Sequence, residues 1–194
     1  MTRENRRSTG ISGLDLAMEG GFPVGSTVLV QGSPLTGLDL LARQFWRADG
    51  TTGTYLMIDG EVEPGMTDAR NHPPEAMPGL AKGDRVVIDS LSTIVTRNGI
   101  DSAISLLSLV RKDIAERKAN ALCILYSDLH AAFDEIRIQR IADVVIELKE
   151  VIIMNEIERQ LAVHKVRNSE VPRRLIPYNI TEKGIELSTT SRVV

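Results

Sequence analysis

The chain has 194 residues, of which 42% are hydrophobic and 25% are charged, a composition typical of a folded protein with one sizeable core. Its net charge of −3 and calculated isoelectric point near 5.7 give no electrostatic basis for binding nucleic acid or an anionic membrane. The one cysteine excludes an internal disulfide. No stretch approaches the roughly 18 apolar residues of a membrane span, and the first residues are polar, so we expect a cytoplasmic protein. We expect one domain over residues 1–194.

Glycine is dense near the start of the chain. Thr9-Gly10-Ile11-Ser12-Gly13-Leu14-Asp15 is followed by Gly20-Gly21-Phe22-Pro23-Val24-Gly25-Ser26, which predicts tight turns leading into a buried strand. Residues 28–46 then read as that strand, a loop of small residues and a helix with one apolar side. This order is the frame of a phosphate-binding loop.

The loop departs from the phosphate-binding consensus at two positions. That consensus is Gly-x-x-x-x-Gly-Lys-[Ser/Thr], and Gly32 and Gly37 have the required separation, but Leu38 and Asp39 follow them. Leu38 supplies no charge and Asp39 adds a carboxylate where phosphate oxygens would approach, so we expect ordinary ATP affinity to fall by orders of magnitude. The alternative interpretation is that the two glycines only punctuate an ordinary turn between a strand and a helix.

Residues 9–46 together resemble the opening of KaiC-like proteins, which lie within the RecA superfamily of ATPases. The Thr-Gly-Ile-x-Gly-Leu-Asp motif, the Gly-Gly-[apolar]-Pro-x-Gly-Ser turn and the strand into the loop occur in the same order and spacing. The resemblance implies a RecA-like P-loop NTPase fold, which is an α/β architecture with a mostly parallel sheet flanked by helices. It also implies that Gly32, Thr36 and Gly37 belong to a nucleotide site, which the changes at Leu38 and Asp39 indicate is vestigial.

A second strand is predicted at residues 54–58 and ends at Asp59, Gly60 and Glu61. In KaiC-like enzymes two consecutive acidic residues end this strand, and one of them activates the attacking water. The resemblance places Asp59 on the first position and Gly60 on the second, so the position of the base is empty. Glu61 could compensate through a shift of one residue, and the plainer interpretation is that Asp59 and Glu61 are solvated loop carboxylates.

Residues 60–84 contain several Pro and Gly residues without a helical or strand period, which predicts a long loop. The loop is shorter than in the family, a second sign that the site has decayed. Residues 85–92 predict a strand ending at Asp89, whose counterpart in the family holds magnesium through water. Asp89 could instead cap a following turn. The histidines lack a second ligand at metal spacing, so we predict no metal site.

The middle of the chain predicts a parallel sheet. Residues 101–118 have the clearest helical period, and the apolar strand at 121–126 contains Cys123, which we interpret as core packing. A short helix at 134–141 and a strand at 142–148 follow. Strands that alternate with helices indicate right-handed parallel crossovers.

The last third of the chain predicts antiparallel pairing. Residues 151–153 and 158–166 flank Asn155 as a hairpin, and residues 184–187 form a last strand. Asp143-Val144-Val145, Lys165-Val166-Arg167 and the stretch 177–185 resemble the end of KaiC-like proteins. In that family the Lys-x-Arg pair reaches across a subunit interface to phosphates bound by the neighbour, so Lys165 and Arg167 are candidates for action in trans. The alternative is that they are two solvated basic residues.

These patterns predict a non-catalytic or very weakly active KaiC-like domain with a regulatory, signalling or assembly role, without catalytic residues or a cofactor of its own. Its expected partner is a second copy or another RecA- or KaiC-like subunit. The alternative is an ATP- or ADP-binding protein or weak ATPase that uses backbone N–H groups of residues 32–40 and a magnesium ion on Asp89. A third class, a recombinase-like binder of single-stranded DNA, is disfavoured by the acidic charge and the few aromatic residues.

Overall fold

The computed structural model describes residues 5–50 and 53–188, so residues 1–4, 51–52 and 189–194 of the predicted domain lie outside the described part. The strands are β1 (Arg6–Arg7), β2 (Phe22–Pro23), β3 (Thr27–Gly32), β4 (Gly53–Met57), β5 (Thr67–Asp68), β6 (Arg85–Asp89), β7 (Asn120–Tyr126), β8 (Val144–Ile153), β9 (Glu156–Val166), β10 (Ile176–Thr181) and β11 (Gly184–Leu187). The helices are α1 (Ser12–Ala17), α2 (Leu38–Arg47), α3 (Met77–Leu80), α4 (Leu91–Asn98), α5 (Ile100–Arg117) and α6 (Ala132–Ile141). Short 3-10 turns cover Pro34–Thr36, Ala48–Gly50 and Pro74–Ala76.

The main sheet of the described residues has the strand order β11-β10-β9-β8-β3-β7-β6-β4-β5. Neighbouring strands from β5 to β8 are parallel, and β8, β9, β10 and β11 continue the sheet in antiparallel pairs. Strand β3 lies in the middle, where Val28 is in register with Leu122 of β7 and Val144 of β8. The predicted α/β fold, with a mostly parallel sheet and a C-terminal antiparallel hairpin extension, is confirmed.

Helices cover both faces of the sheet because the side chains of its central strands alternate between two buried clusters. Val28 and Val30 of β3 pack in the first cluster with Leu41 and Phe45 of α2. Leu29 points to the other face and packs in the second cluster, which also contains Leu107, Val110 and Ile114 of α5 and the buried Cys123. Strands buried on both faces form near-continuous apolar runs, and this is the pattern seen at β3 and β7.

The segment 60–84, expected to be a loop, contains three short elements. They are β5, the turn at Pro74–Ala76 and α3. Ala69 and Met77 are almost fully buried against the second cluster. Isolated apolar residues of this kind anchor a segment to the core without producing a period, so the sequence pattern could not indicate them.

The sequence pattern does not predict helix α4. Its two buried apolar residues, Leu91 and Ile94, lie only one turn apart, and eight residues are too few to establish a period. The side chain of Ser90 caps the helix by accepting a hydrogen bond from the Thr93 N–H at 3.3 Å. Ser90, rather than Asp89, therefore has the capping role that was considered for Asp89.

The hairpin begins earlier than expected. The predicted strands at 142–148 and 151–153 are one strand, β8, which pairs with β9 up to Ile153 opposite Glu156. Lys149 and Glu150 interrupt the apolar pattern because β8 has left the core at that point. The strand itself continues beyond them. No helix among the described residues is long and apolar enough to cross a bilayer.

Candidate functional site

The predicted phosphate loop joins the carboxyl end of β3 to the start of α2. The Pro34–Thr36 turn is followed by Gly37, whose φ of 82° is in the left-handed region that favours glycine. Gly32 is equally constrained, because a Cβ atom there would lie 2.6 Å from the Leu148 carbonyl oxygen and 2.8 Å from Thr36 Oγ1. The backbone frame of strand, glycine loop and helix is therefore present as predicted.

The polar groups of this loop bind one another. Thr36 Oγ1 donates to the Ser33 carbonyl at 2.7 Å, and Ser33 Oγ accepts from the Leu35 N–H at 3.3 Å. Tyr178, on the antiparallel strand β10, is 3% exposed and its hydroxyl donates to the Thr36 carbonyl at 2.7 Å. These bonds draw the loop into a compact turn against the C-terminal strands.

Leu38 occupies the position of the consensus lysine, and it is a core residue. Only 1% of its surface is exposed, and it belongs to the first hydrophobic cluster. The next residue, Asp39, is partly exposed and its carboxylate lies 3.8 Å from the Arg43 guanidinium, one helical turn away. The start of α2 thus presents a buried leucine where a phosphate site has an ammonium group, and a carboxylate where it has a hydroxyl.

Asp89 lies at the end of β6 and is 5% exposed. The Tyr55 hydroxyl donates to Asp89 Oδ2 at 2.6 Å. Burial raises the pKa of Asp89 to about 6, and the nearby carboxylates Asp59 and Asp39 act in the same direction, while Tyr55 and Arg43 act against it. Burial and the proximity of Asp89 likewise raise the pKa of the Tyr55 phenol.

Asp59, at the end of the neighbouring strand, is not a freely solvated carboxylate. Its Oδ2 accepts from Ser90 Oγ at 3.0 Å and from Thr93 Oγ1, so it ties the end of β4 to the start of α4. The Asp89–Ser90 peptide bond between these partners is cis. Gly60, to which the resemblance assigns the position of the base, supplies no side chain.

Three carboxylates therefore surround the loop, and the nearest cations already have anionic partners. The Arg43 guanidinium pairs with Glu63 as well as Asp39, and Arg47 lies 3.6 Å from the same Glu63 carboxylate. No group of His, Cys, Asp and Glu residues in the described ranges has the arrangement of a metal site. The residues present do not fit a magnesium nucleotide, because the loop lacks a free cation and its anionic groups would repel phosphate oxygens.

An open pocket of about 450 Å³ adjoins the loop at the carboxyl ends of β3 and β7, beside the middle of β8. Four of its eleven lining residues are acidic, and one is a lysine, Lys149, that pairs with Glu147 at 3.1 Å. The acidic residues are Asp128, Glu135, Glu147 and Glu150. The negative charge around the loop therefore extends across this edge of the sheet.

Lys165 and Arg167 lie at the opposite edge. Lys165 Nζ donates to the carbonyls of Gln139, Arg140 and Ala142, at 3.1, 3.0 and 2.6 Å, so it caps the end of α6. Arg167 Nε lies 3.2 Å from Asp143 Oδ1, and its side chain is 45% exposed. Strand β3 lies between this edge and Gly32, and its length is about 16 Å at the usual rise per residue of a strand. The side chains of Lys165 and Arg167 therefore do not reach the loop of their own chain.

Gly32, Thr36, Gly37 and Asp89 are thus brought to one edge of the sheet, and Lys165 and Arg167 to the other. The sequence interpretation missed Tyr55 and Tyr178, whose hydroxyls bond to Asp89 and Thr36. Tyr55 carries a weak signal, since it lies in a strand predicted beside the Asp89 strand. Tyr178 carries none, because its contact with Thr36 joins residues far apart in the chain.

The comparisons with known proteins agree with this architecture. The family model described as "ATPase: KaiC" matches residues 7–63 and 75–192. Among solved structures, a KaiC-like protein from the hyperthermophilic archaeon Pyrococcus horikoshii OT3 has a similar fold, with a TM-score of 0.77 and 22% identity over 94% of this chain and 98% of that chain. The comparison with curated proteins gives no match. With most of its length matched by the family model, the chain belongs to the KaiC ATPase family.

Proposed function

We propose that this chain is a non-catalytic member of the KaiC ATPase family, with a degenerate phosphate loop and a regulatory or assembly role. The observation that carries the proposal is the position of Leu38, which is 1% exposed in the core at the position where the family places its phosphate-binding lysine. A buried leucine cannot turn outward to a ligand without exposing apolar surface, and it has no charge to offer if it does.

Two further features support this proposal. Thr36 Oγ1 and the Thr36 carbonyl, which line the loop, are engaged by Ser33 and Tyr178. Burial raises the pKa of Asp89 to about 6, and the neighbouring carboxylates of Asp59 and Asp39 add to this effect. A triphosphate would add at least three negative charges to this environment, and electrostatic repulsion in a partly buried site costs far more than in water.

The test is a calorimetric titration with Mg-ATP and Mg-ADP up to millimolar ligand, with Asp39→Asn as the matched variant. Asp39→Asn keeps the size of the side chain and removes its repelling charge. We expect either no saturable heat or a heat that is the same for the wild type and for Asp39→Asn. Micromolar binding that Asp39→Asn tightens several-fold would place the nucleotide at the loop and refute the proposal, in favour of a weak nucleotide binder that uses backbone N–H groups and a cation on Asp89.

The proposed partner is a second copy or another KaiC-family subunit, to which this chain would contribute Arg167 in trans. The structural contacts distinguish the two members of the Lys-x-Arg pair. Lys165 is held by three carbonyls at the end of α6, whereas Arg167 is half-exposed with one ion pair and can turn toward a neighbour. Arg167→Ala should lower the ATPase rate of a complex reconstituted with an intact KaiC-family ATPase from the same genome, and an unchanged rate would refute this role.

A further inference from the structure

A second pocket lies at the amino-terminal edge of the sheet, away from the phosphate loop. It has a volume of about 420 Å³ and lies between α5 and the residues that precede β3 and β8. We call it the amino-edge pocket, and its polar lining consists of Ser26, Ser108, Arg111, Lys112, Asp143 and Arg167. Three cations and one carboxylate therefore meet in one concave site of a protein whose net charge is −3.

Asp143 holds the two arginines in place. Its carboxylate is 5% exposed and accepts from the Thr27 N–H at 3.1 Å and from Thr27 Oγ1 at 2.9 Å. Arg111 Nε lies 3.2 Å from Asp143 Oδ1, and Arg167 Nε lies 3.2 Å from the same oxygen. The bonds from Thr27 fix the Asp143 carboxylate, which therefore orients both guanidinium groups, and its single negative charge leaves two of the three positive charges in excess.

The three cations of the pocket keep donor groups that have no partner in the described part of the chain. Both arginines contact Asp143 through Nε, and within residues 5–50 and 53–188 their Nη atoms have no hydrogen-bond partner. Lys112 is exposed, and over the same ranges its ammonium group has no ion-pair partner. Lys165 is also close enough to Asp143 and Arg111 to interact with their charges. The pocket therefore offers two guanidinium forks and an ammonium group around a concave surface.

We infer that the amino-edge pocket binds a phosphate group of a small anionic ligand. Guanidinium forks match the oxygens of phosphate, and the two cations in excess of Asp143 match a doubly charged anion better than a single carboxylate. The phosphate could belong to a free anion such as pyrophosphate or to the terminal phosphates of a nucleotide. The inference uses no residue of the phosphate loop, but it shares Arg167 with the proposed role in trans, so its test relies on Lys112 and not on Arg167.

The experiment is a calorimetric titration of the full chain with sodium pyrophosphate, using Lys112→Ala, Lys112→Glu and the control Lys183→Glu. The Lys112 side chain makes no hydrogen bond or ion pair in the described structure, so its variants should fold, as their Tm will verify. Lys183 is exposed in the β10–β11 turn and undergoes the same charge reversal at a distance. We expect saturable binding that Lys112→Glu weakens by about tenfold or more, while Lys183→Glu stays close to the wild type.

Competition experiments identify the source of the phosphate. ATP that displaces pyrophosphate from the wild type indicates that nucleotide phosphates enter the pocket, and ATP that does not displace it indicates a small free anion. The inference is refuted if pyrophosphate gives no saturable heat up to about 10 mM, if Lys112→Glu binds as the wild type does, or if acetate competes equally well. ATP binding that survives Lys112→Glu and responds to Asp39→Asn would contradict the proposed function alone.

Discussion

The burial of Leu38 makes a quantitative prediction that separates a core residue from a ligand-binding residue. Leu38→Ala removes three carbon atoms from a site that is 1% exposed. At about 0.8 kcal/mol for each buried carbon the transfer loss is about 2.4 kcal/mol, and the cavity left behind raises the total to about 3–5 kcal/mol. Leu35, in the same loop, is 70% exposed, and Leu35→Ala should change stability by at most about 0.5 kcal/mol.

Urea unfolding measures this difference, and the single tryptophan, Trp46, provides the signal. Trp46 lies in α2 and its ring packs against Tyr55 with centroids 5.4 Å apart, so its fluorescence reports on the packing next to the loop. Equal losses of free energy of unfolding for Leu38→Ala and Leu35→Ala would refute the reasoning. That result would mean that Leu38 spends its time outside the core and that the loop is open in solution.

Three other contacts lead to stability predictions that denaturant unfolding can check. Burial raises the pKa of Asp89 from its ordinary 3.8 to about 6. Between these two values the folded state keeps a proton that the unfolded state has released. The protonated carboxyl therefore stabilises the fold at low pH, and this contribution is lost as the pH rises from about 4 to 6. Unfolding measured at pH 4.5 and pH 7 should therefore show Asp89→Asn gaining stability relative to the wild type at the higher pH. Tyr178→Phe leaves the Thr36 carbonyl without its buried donor and should cost about 1–2 kcal/mol, with faster amide exchange in the loop. Lys165→Met removes the cap of α6 and should cost about 1–2 kcal/mol, whereas Lys183→Met should have no measurable effect.

The elements that sequence predicted well are those with continuous local patterns. The runs around β3, β6 and β7 are apolar because both faces of these strands are buried, and α5 is long enough to repeat its buried residues over several turns. Helix α4 and the elements between residues 60 and 84 depend on single anchors such as Ile94 and Met77. An isolated residue of this kind is buried by contacts with other elements of the fold. The residues next to it in the chain form no pattern that would predict its burial.

The candidate site divides in the same way. The glycine spacing at residues 32 and 37 and the acid at the end of β6 follow from local sequence, and the structure places both at one edge of the sheet. The closure of the loop depends on Tyr178, which lies 142 residues from Thr36 in the chain. The amino-edge pocket was also beyond local inference, because Arg111 and Arg167 come from a helix and a strand end that only the fold brings to Asp143.

The two edges of the sheet carry opposite charge, and this determines how a binding experiment should be interpreted. Carboxylates surround the phosphate loop, while three cations surround the amino-edge pocket about 16 Å away along β3. Exposed charges this far apart are largely screened at physiological ionic strength, where the Debye length is about 8 Å, so a ligand at one edge responds mainly to the charges of that edge. Heat from an ATP titration alone therefore does not identify the site. The site is identified by testing Asp39→Asn and Lys112→Glu singly and together. We expect Lys112→Glu to weaken the binding of pyrophosphate whether residue 39 is Asp or Asn, and to weaken the binding of ATP as well if ATP enters the pocket. We expect Asp39→Asn to leave the binding of either ligand unchanged, with or without Lys112→Glu. A large effect of Asp39→Asn that persists in the Lys112→Glu background would mean that phosphates reach the phosphate loop despite Leu38.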